Sequence, residues 1–215
     1  MRIGIVGTGA MAGVLGGRWV RAGHEVMVGG RDAGRTARTA ALTGARAGTV
    51  GQAVRHGEDV VLLAVPYAAA PALAAAHAGA LAGRVVVDCS NPVGPGFTLT
   101  TGTGPSAAER IAAAAPAARV VKAFNLCHVS VWGIEEPVFE GGALAVPLCG
   151  DDDAALKLVG ALVRDVGCEP LAAGPLARAH LLEATAALLI GLWVGEGADA
   201  RAIAPPLAYA VPREG

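Results

Sequence analysis

The stretch that decides the fold reads RIGIVGTGAMAG, from Arg2 to Gly13. An apolar run typical of a buried parallel strand leads directly into Gly7-Thr8-Gly9-Ala10-Met11-Ala12, which matches the pattern G-x-G-x-x-A at the start of a helix. Gly7 permits the tight turn, and Gly9 lets a pyrophosphate approach the N–H groups of the helix N-terminus. The stretch therefore predicts a dinucleotide site. The alternative is a glycine-rich turn without a ligand.

Short β-rich runs alternate with alanine-rich segments around this stretch, as in βαβ units. We predict an α/β fold, namely a Rossmann-type doubly wound parallel sheet with a small, mostly helical C-terminal extension. The predicted strands are Arg2–Val6, Glu25–Val28, Asp59–Val65, Arg84–Asp88, Arg119–Phe124 and Ala143–Cys149, with a weaker one at Ala45–Thr49. The predicted helices are Ala10–Ala22, Arg35–Leu42, Tyr67–Leu81, Pro105–Ala115, one from Asp151–Asp153 to Val166 and one from Leu176 to Val194.

The alternation of predicted strands and helices changes along the chain, which suggests two domains. Residues 1–150 are predicted to be a dinucleotide-binding Rossmann domain, and residues 151–215 a small C-terminal helical domain. The tail after Gly195 contains Pro205-Pro206 and is expected to be irregular.

Composition excludes several classes of protein. Hydrophobic residues make up 53% of the 215 residues, charged residues 16%, and the net charge is −1, so we expect neither a nucleic-acid nor a membrane partner. Four widely spaced cysteines without a C-x-x-C pair indicate buried thiols in a reducing cytoplasm. The five histidines lack metal-ligand spacing, so no metal site is predicted.

The end of the second strand indicates which dinucleotide binds. An NAD site usually has Asp or Glu there, whereas this sequence reads Gly29-Gly30-Arg31-Asp32, with Arg35 one turn further on. The two guanidinium groups could hold a 2′-phosphate, which favours NADP, and Asp32 could cap the next helix. The alternative is a pair of solvated surface arginines.

Other strand ends should face the same ligand, since ligands collect at the carboxyl ends of parallel strands. Val65 and Pro66 are predicted to form an apolar wall for the nicotinamide. Ser90 and Asn91 could donate hydrogen bonds to its ribose or carboxamide. Asp88 is either part of this site or a residue that only forms the turn.

Residues for acid–base catalysis are not evident. His128 is the best placed histidine, a few residues past a strand end, but a non-catalytic role is favoured. Reduction of a carbonyl or imine needs a proton donor, for which Tyr67, His128 and Lys122 are the candidates. Hydride transfer to another ring cofactor needs chiefly orientation and proximity, because the acceptor ring can take its proton from solvent.

The chain resembles the NADPH-dependent coenzyme F420 reductases, whose Rossmann module also occurs in six-transmembrane metalloreductases. The resemblance extends to about Val194. It is carried by Ile3–Gly13, Gly23–Asp32, Asp88–Val93, Val120–Asn125, Val146–Val159 and Glu169–Leu176.

The resemblance implies a homodimer that moves hydride between NADP(H) and coenzyme F420, with the deazaflavin stacked on the nicotinamide under the C-terminal helices. Residues 1–150 would then bind NADP, and residues 151–215 would serve dimerisation and the substrate cleft. It implies NADP contacts at Thr8, Met11, Gly30, Arg31 and Arg35, in the turn that also holds Ala10. It places Asn91 near the two rings. Catalytic residues are not identified, and the candidates are Asn91, Asn125 and His128. Archaeal members have a histidine at the position of Asn125 and a serine at that of Gly30. The alternatives are an NADPH-dependent reductase of a small imine, carbonyl or flavin, and a non-catalytic NADP-binding protein.

Overall fold

Strands and helices alternate along residues 1–199, which a computed structural model describes. The strands are β1 (Arg2–Val6), β2 (Glu25–Gly29), β3 (Arg46–Gly48), β4 (Val60–Leu63), β5 (Val85–Asp88), β6 (Arg119–Lys122), β7 (Val138–Phe139), β8 (Gly142–Ala143), β9 (Ala145–Gly150) and β10 (Glu169–Gly174). The helices are α1 (Ala10–Arg21), α2 (Ala33–Thr43), α3 (Val50–His56), α4 (Ala70–Ala76), α5 (Ala78–Leu81), α6 (Ala107–Ala114), α7 (Asp153–Arg164) and α8 (Ala179–Ile190).

The central sheet has the spatial order β10-β9-β6-β5-β4-β1-β2-β3. Its neighbours pair in parallel, except that β6 and β9 are antiparallel. The run β3-β2-β1-β4-β5-β6 is the Rossmann order, with the topological switch between β1 and β4. The predicted α/β Rossmann fold is confirmed. The strands β7 and β8 form a separate small hairpin.

Hydrophobic cores lie on both faces of the sheet. Ile3 and Ile5 of β1 pack with Leu15 and Trp19 of α1 on one face. Alternate strand residues, such as Leu63, form the second core with Ile111 and other helix residues on the opposite face. Because helices cover both faces, the central strands β1 and β4 are apolar on both faces rather than alternating.

The helix α3 was not predicted. It packs so closely on β1 that a Cβ at Gly4 would lie 2.0 Å from the carbonyl oxygen of Ala53. Its start is a capping box in which the Thr49 hydroxyl accepts from the Gln52 N–H and the Gln52 side chain accepts from the Thr49 N–H. The T-x-x-Q spacing was the sequence signal for this helix.

The strand β10 was also not predicted. It pairs in parallel with β9 at the edge of the sheet, where a residue such as Pro170 is tolerated. The sheet therefore continues past residue 150, to Gly174, and mostly helical chain follows it. The predicted division of the chain at residue 150 stays a prediction.

The last predicted helix is made of three consecutive helical segments of different kinds. A 3₁₀ turn at Leu176–Arg178 leads into α8, and a π-helical turn at Gly191–Gly195 follows. Together they form one segment of 20 residues, Leu176–Gly195. A stretch of 18 residues within it has a mean hydropathy of 1.3, and 28% of that stretch is buried. Length and composition would allow this segment to span a membrane, which is weak support because core helices of soluble proteins meet the same criterion. The predicted irregular tail at Pro205-Pro206 lies outside the described residues.

Candidate functional site

A crevice of about 490 Å³ opens at the carboxyl ends of β1, β2 and β4. This volume is within the range of small-molecule and cofactor pockets. Eight of the predicted cofactor-binding residues line it. They are Gly7, Thr8, Gly9, Gly30, Arg31, Arg35, Val65 and Pro66.

The turn between β1 and α1 is shaped for close approach of a ligand. Gly7 has a φ of +126°, and a Cβ there would lie 2.0 Å from the carbonyl oxygen of Ala64. A Cβ at Gly9 would meet nothing within 4 Å, so the space beside it is open. The helix α1 begins without a side-chain cap, which leaves its first N–H groups for an anion. This turn fits a pyrophosphate.

A basic pair borders the crevice beside β2. Arg31 and Arg35 both line it, and their side chains can meet a phosphate next to Gly30. A Cβ at Gly30 would lie 2.7 Å from the Thr8 and Thr36 side chains, so this position has room for no larger residue unless they shift. Asp32 caps α2, as predicted, because its carboxylate accepts from the Arg35 N–H at 2.9 Å.

Because Asp32 caps α2, its carboxylate has a role other than that of the acidic residue that binds the ribose in an NAD site. Hydrogen bonding to the backbone N–H of Arg35 holds the pKa of Asp32 below its ordinary value. The carboxylate also lies 3.5 Å from the Arg35 guanidinium. Asp32 is therefore ionised at neutral pH and already engaged with α2.

Four other predicted cofactor residues lie outside the lining of the crevice. Ala10 is exposed at the start of α1, and Met11 packs partly against the core. Ser90 and Asn91 follow β5, one strand further along the sheet than β4. Contact of these four residues with a cofactor stays a prediction.

The structure does bring Asn91 and Asn125 together. The Asn91 side chain donates to the Asn125 carbonyl at 2.7 Å, and the Asn125 side chain donates back to Asn91 Oδ1 at 2.9 Å. Phe124 precedes this pair with a φ of +59°, and it is held by edge-on contacts with Trp19 and Trp132. Packing of the three rings stabilises the unusual backbone that presents Asn125.

A buried ion group lies directly beneath these amides. Lys122 Nζ is 2.8 Å from Asp88 Oδ2 and 2.8 Å from Glu183 Oε1, and all three side chains are 0% exposed. Burial opposes the charge of Lys122, but the two carboxylates outweigh it and raise the pKa of Lys122 above its ordinary value. The sequence left open whether Asp88 belongs to the ligand site or only forms the turn, and in the structure it takes part in this ion group.

Sequence reasoning missed Glu183. The available signal was a single acidic residue within the apolar segment Leu176–Val194. A buried carboxylate needs a partner, and the partner here is a lysine that lies 61 residues earlier in the chain. Nothing local in the sequence connects the two.

The remaining predicted polar candidates are elsewhere. His128 is exposed at the start of a 3₁₀ turn, where its Nδ1 lies 2.9 Å from the Ser130 hydroxyl. The four cysteines are free thiols, and three of them are buried as predicted, whereas Cys127 is only half-buried. Burial, together with the neighbouring Asp88, raises the pKa of Cys89 to about 12, so this thiol stays protonated.

The strand order and the glycine turn, with a basic pair beside it, define a Rossmann domain of the NADP-binding kind. Residues 2–92 match the family described as "NADP oxidoreductase coenzyme F420-dependent". Over this part the chain is similar to that family of NADP-dependent oxidoreductases, which confirms the resemblance seen in the sequence.

Two relatives extend this similarity over most of the chain. The chain is 33% identical over 192 residues to Metalloreductase STEAP3 of Rattus norvegicus, covering 89% of this chain and 38% of the metalloreductase. It thus spans well under half the length of that relative. A protein from Arthrobacter sp. FB24, named a candidate F420-dependent NADP-reductase, has a TM-score of 0.82 at 28% identity, covering 92% of this chain and 96% of that one.

More distant structures share the fold alone. The imine reductase of Streptomyces aurantiacus has a TM-score of 0.66 at 21% identity, over 97% of this chain and 72% of that one.

Proposed function

We propose that this protein transfers hydride between NADP(H) and the deazaflavin coenzyme F420. The observation that carries the proposal is the crevice itself. It combines a phosphate turn, a basic pair for a 2′-phosphate and an apolar wall at Val65 and Pro66, while its lining within residues 1–199 contains no His, Lys, Tyr or Cys.

Such a lining suits hydride transfer between two rings. A hydride leaves the reduced nicotinamide, which becomes NADP⁺, and its two electrons pass to the conjugated acceptor ring. The acceptor takes its proton from solvent, so the protein has to supply orientation and proximity rather than a general acid. The likeness to the Arthrobacter protein over nearly the full length of both chains supports F420 as the acceptor.

The experiment is spectroscopic. Purified protein is mixed anaerobically with NADPH and oxidised F420, and the visible absorbance of F420 is expected to disappear while NADPH is consumed. FMN, a cyclic imine and a small ketone serve as parallel acceptors. An unchanged F420 spectrum together with turnover of one of these acceptors would reject F420 as substrate.

Reduction of an imine or carbonyl is the alternative, and it requires a proton donor. The ammonium group of Lys122 is fully buried and uses its three hydrogens on Asp88, Glu183 and the Ser90 carbonyl. It is therefore occupied, and Tyr67 and His128 remain as donors for this alternative.

Tight NADPH binding without loss of hydride to any acceptor would instead support a non-catalytic binding protein.

We further propose a homodimer in the cytoplasm. Leu181, Leu188, Trp193 and Val194 expose large apolar side chains along the C-terminal helical segment, and a second subunit would cover them. The ion pair of Glu183 ties this segment to the sheet, which supports a docked helix rather than a membrane span. Light scattering on the purified protein would test the dimer, and cell fractionation would test the location.

A further inference from the structure

The buried ion group of Asp88, Lys122 and Glu183 has no direct part in the proposed transfer of hydride from NADPH to F420. Burying charged groups is costly, and an apolar cluster of the same volume is often at least as stable. Its three side chains join the ends of the adjacent strands β5 and β6 to α8, at the side where Asn91 and Asn125 meet.

The group binds both backbone polar groups of one residue, Ser90. Asp88 Oδ1 accepts from the Ser90 N–H at 2.9 Å, and Lys122 donates to the Ser90 carbonyl at 2.5 Å. Ser90 immediately precedes Asn91, so the position of the Asn91 backbone depends on these two bonds. Lys122 has no hydrogen left for another partner.

The helix α8 meets the two loops at consecutive residues. The Leu182 carbonyl accepts from the Asn125 side chain at 3.1 Å, and Glu183 accepts from Lys122 at 2.8 Å. The Glu183 carboxylate also accepts from the Ala107 N–H, at 3.0 Å, where α6 begins. A displacement of α8 would therefore be transmitted to both amide loops.

Two oxygens at these loops are left without partners. Within residues 1–199, the Ser90 hydroxyl and Asn125 Oδ1 are buried and form no hydrogen bond. Buried polar atoms are rarely left unpaired in a native protein, so these oxygens are suited to a polar ligand group.

We propose that Asp88, Lys122 and Glu183 are positioning residues, which fix Ser90, Asn91 and Asn125 against the nicotinamide half of the cofactor. This proposal rests on the NADP(H) site proposed above. The ion group sets the geometry of hydride transfer, whereas affinity for NADPH depends chiefly on the phosphate turn and the basic pair, which line the crevice.

The test compares three variants with the wild type. Glu183→Gln removes one charge but can still accept from Lys122 and Ala107. The triple variant D88N/K122M/E183Q removes all three charges at similar volume and loses the bond to the Ser90 carbonyl. Asp152→Ala is the matched control for stability. It removes the cap of α7, in which the carboxylate accepts from the Ala155 N–H at 2.7 Å, and an ion pair with Arg119 at 3.6 Å, but it leaves the buried ion group intact.

The readouts are thermal melting, the dissociation constant for NADPH, the emission of bound NADPH and kcat with F420. For Glu183→Gln we expect an emission shifted toward that of free NADPH and a fall in kcat of at least tenfold, while the dissociation constant changes less than threefold. The triple variant should melt higher than Glu183→Gln without recovering emission or kcat. Asp152→Ala should melt lower than wild type with both readouts unchanged.

A merely structural role predicts a different result. The positioning role would be overturned if Glu183→Gln kept the emission and the kcat of the wild type. It would also be overturned if the triple variant recovered emission and kcat along with its melting temperature. If the wild type binds NADPH but does not bleach F420, the proposed acceptor fails, and the emission of bound NADPH still decides the role of the ion group. If the wild type does not bind NADPH, both proposals are rejected.

Discussion

Replacing Arg31 by alanine should weaken NADPH binding strongly and NADH binding very little. Arg31 lines the crevice beside Gly30, and within residues 1–199 it forms no ion pair with an acidic side chain. Its guanidinium is therefore free to bind a 2′-phosphate, a group that NADH lacks.

The size of the effect follows from the type of bond. A hydrogen bond to a charged group contributes about 1.5–3 kcal/mol. Since about 1.4 kcal/mol changes a dissociation constant tenfold, Arg31→Ala should weaken NADPH binding by roughly 10- to 100-fold. Arg35→Ala should cost less, because the Arg35 side chain is 67% exposed and lies 3.5 Å from Asp32, which competes for its charge.

The assay is calorimetric titration with NADPH and NADH at one fixed ionic strength, because phosphate contacts are screened by salt. Arg38→Ala is the matched control, since Arg38 is exposed on the same helix, α2, but does not line the crevice. An equal loss of affinity for both nucleotides, or a loss for NADPH no larger than in Arg38→Ala, would refute the assignment of Arg31 to the 2′-phosphate.

Three further outcomes follow from individual residues. Gly7→Ala should abolish NADPH binding and lower the melting temperature, because its φ of +126° and a Cβ 2.0 Å from the Ala64 carbonyl leave no room; normal NADPH binding by a folded Gly7→Ala variant would contradict this. Asp32→Asn should keep the cap of α2 and tighten NADPH binding several-fold at low salt, an effect that should shrink at high salt if it is electrostatic. Cys89, with its pKa raised to about 12 from 9.0, should resist thiol reagents at pH 8 in the folded protein. Between these two pKa values the Cys89 thiol is protonated in the folded protein and ionised in the unfolded protein. The contribution of Cys89 to the free energy of unfolding should therefore fall as pH rises from about 9 to 12. A Cys89→Ala variant should lack that part of the pH dependence of chemical denaturation.

Local patterns were sufficient for most of the fold and for the phosphate half of the site. The predicted strand at Arg2–Val6 is observed with the same bounds, since an apolar run followed by a glycine turn has few other conformations. Asp152 and Asp153 begin α7 as predicted, because a cap and an acidic first turn act over three residues. The same locality holds for Gly7, Arg31 and Arg35, which lie at strand ends.

Other elements depend on neighbours that are distant in sequence. The predicted helix Tyr67–Leu81 divides into α4 and α5 at His77, and nothing in the alanine-rich segment marks that break. The strand β10 exists because the edge of β9 is available to it. Such choices are made by tertiary pairing, which overrides weak local preferences.

By itself the sequence determined the alternation of strands and helices, the turn for a pyrophosphate and the basic pair, because each follows from residues close together in the chain. Only the tertiary structure decided that Asn91 meets Asn125 and that Lys122 lies between Asp88 and Glu183. The physical reason is that a buried charge is tolerated only beside an opposite charge, and that partner is supplied by whichever element folds against it.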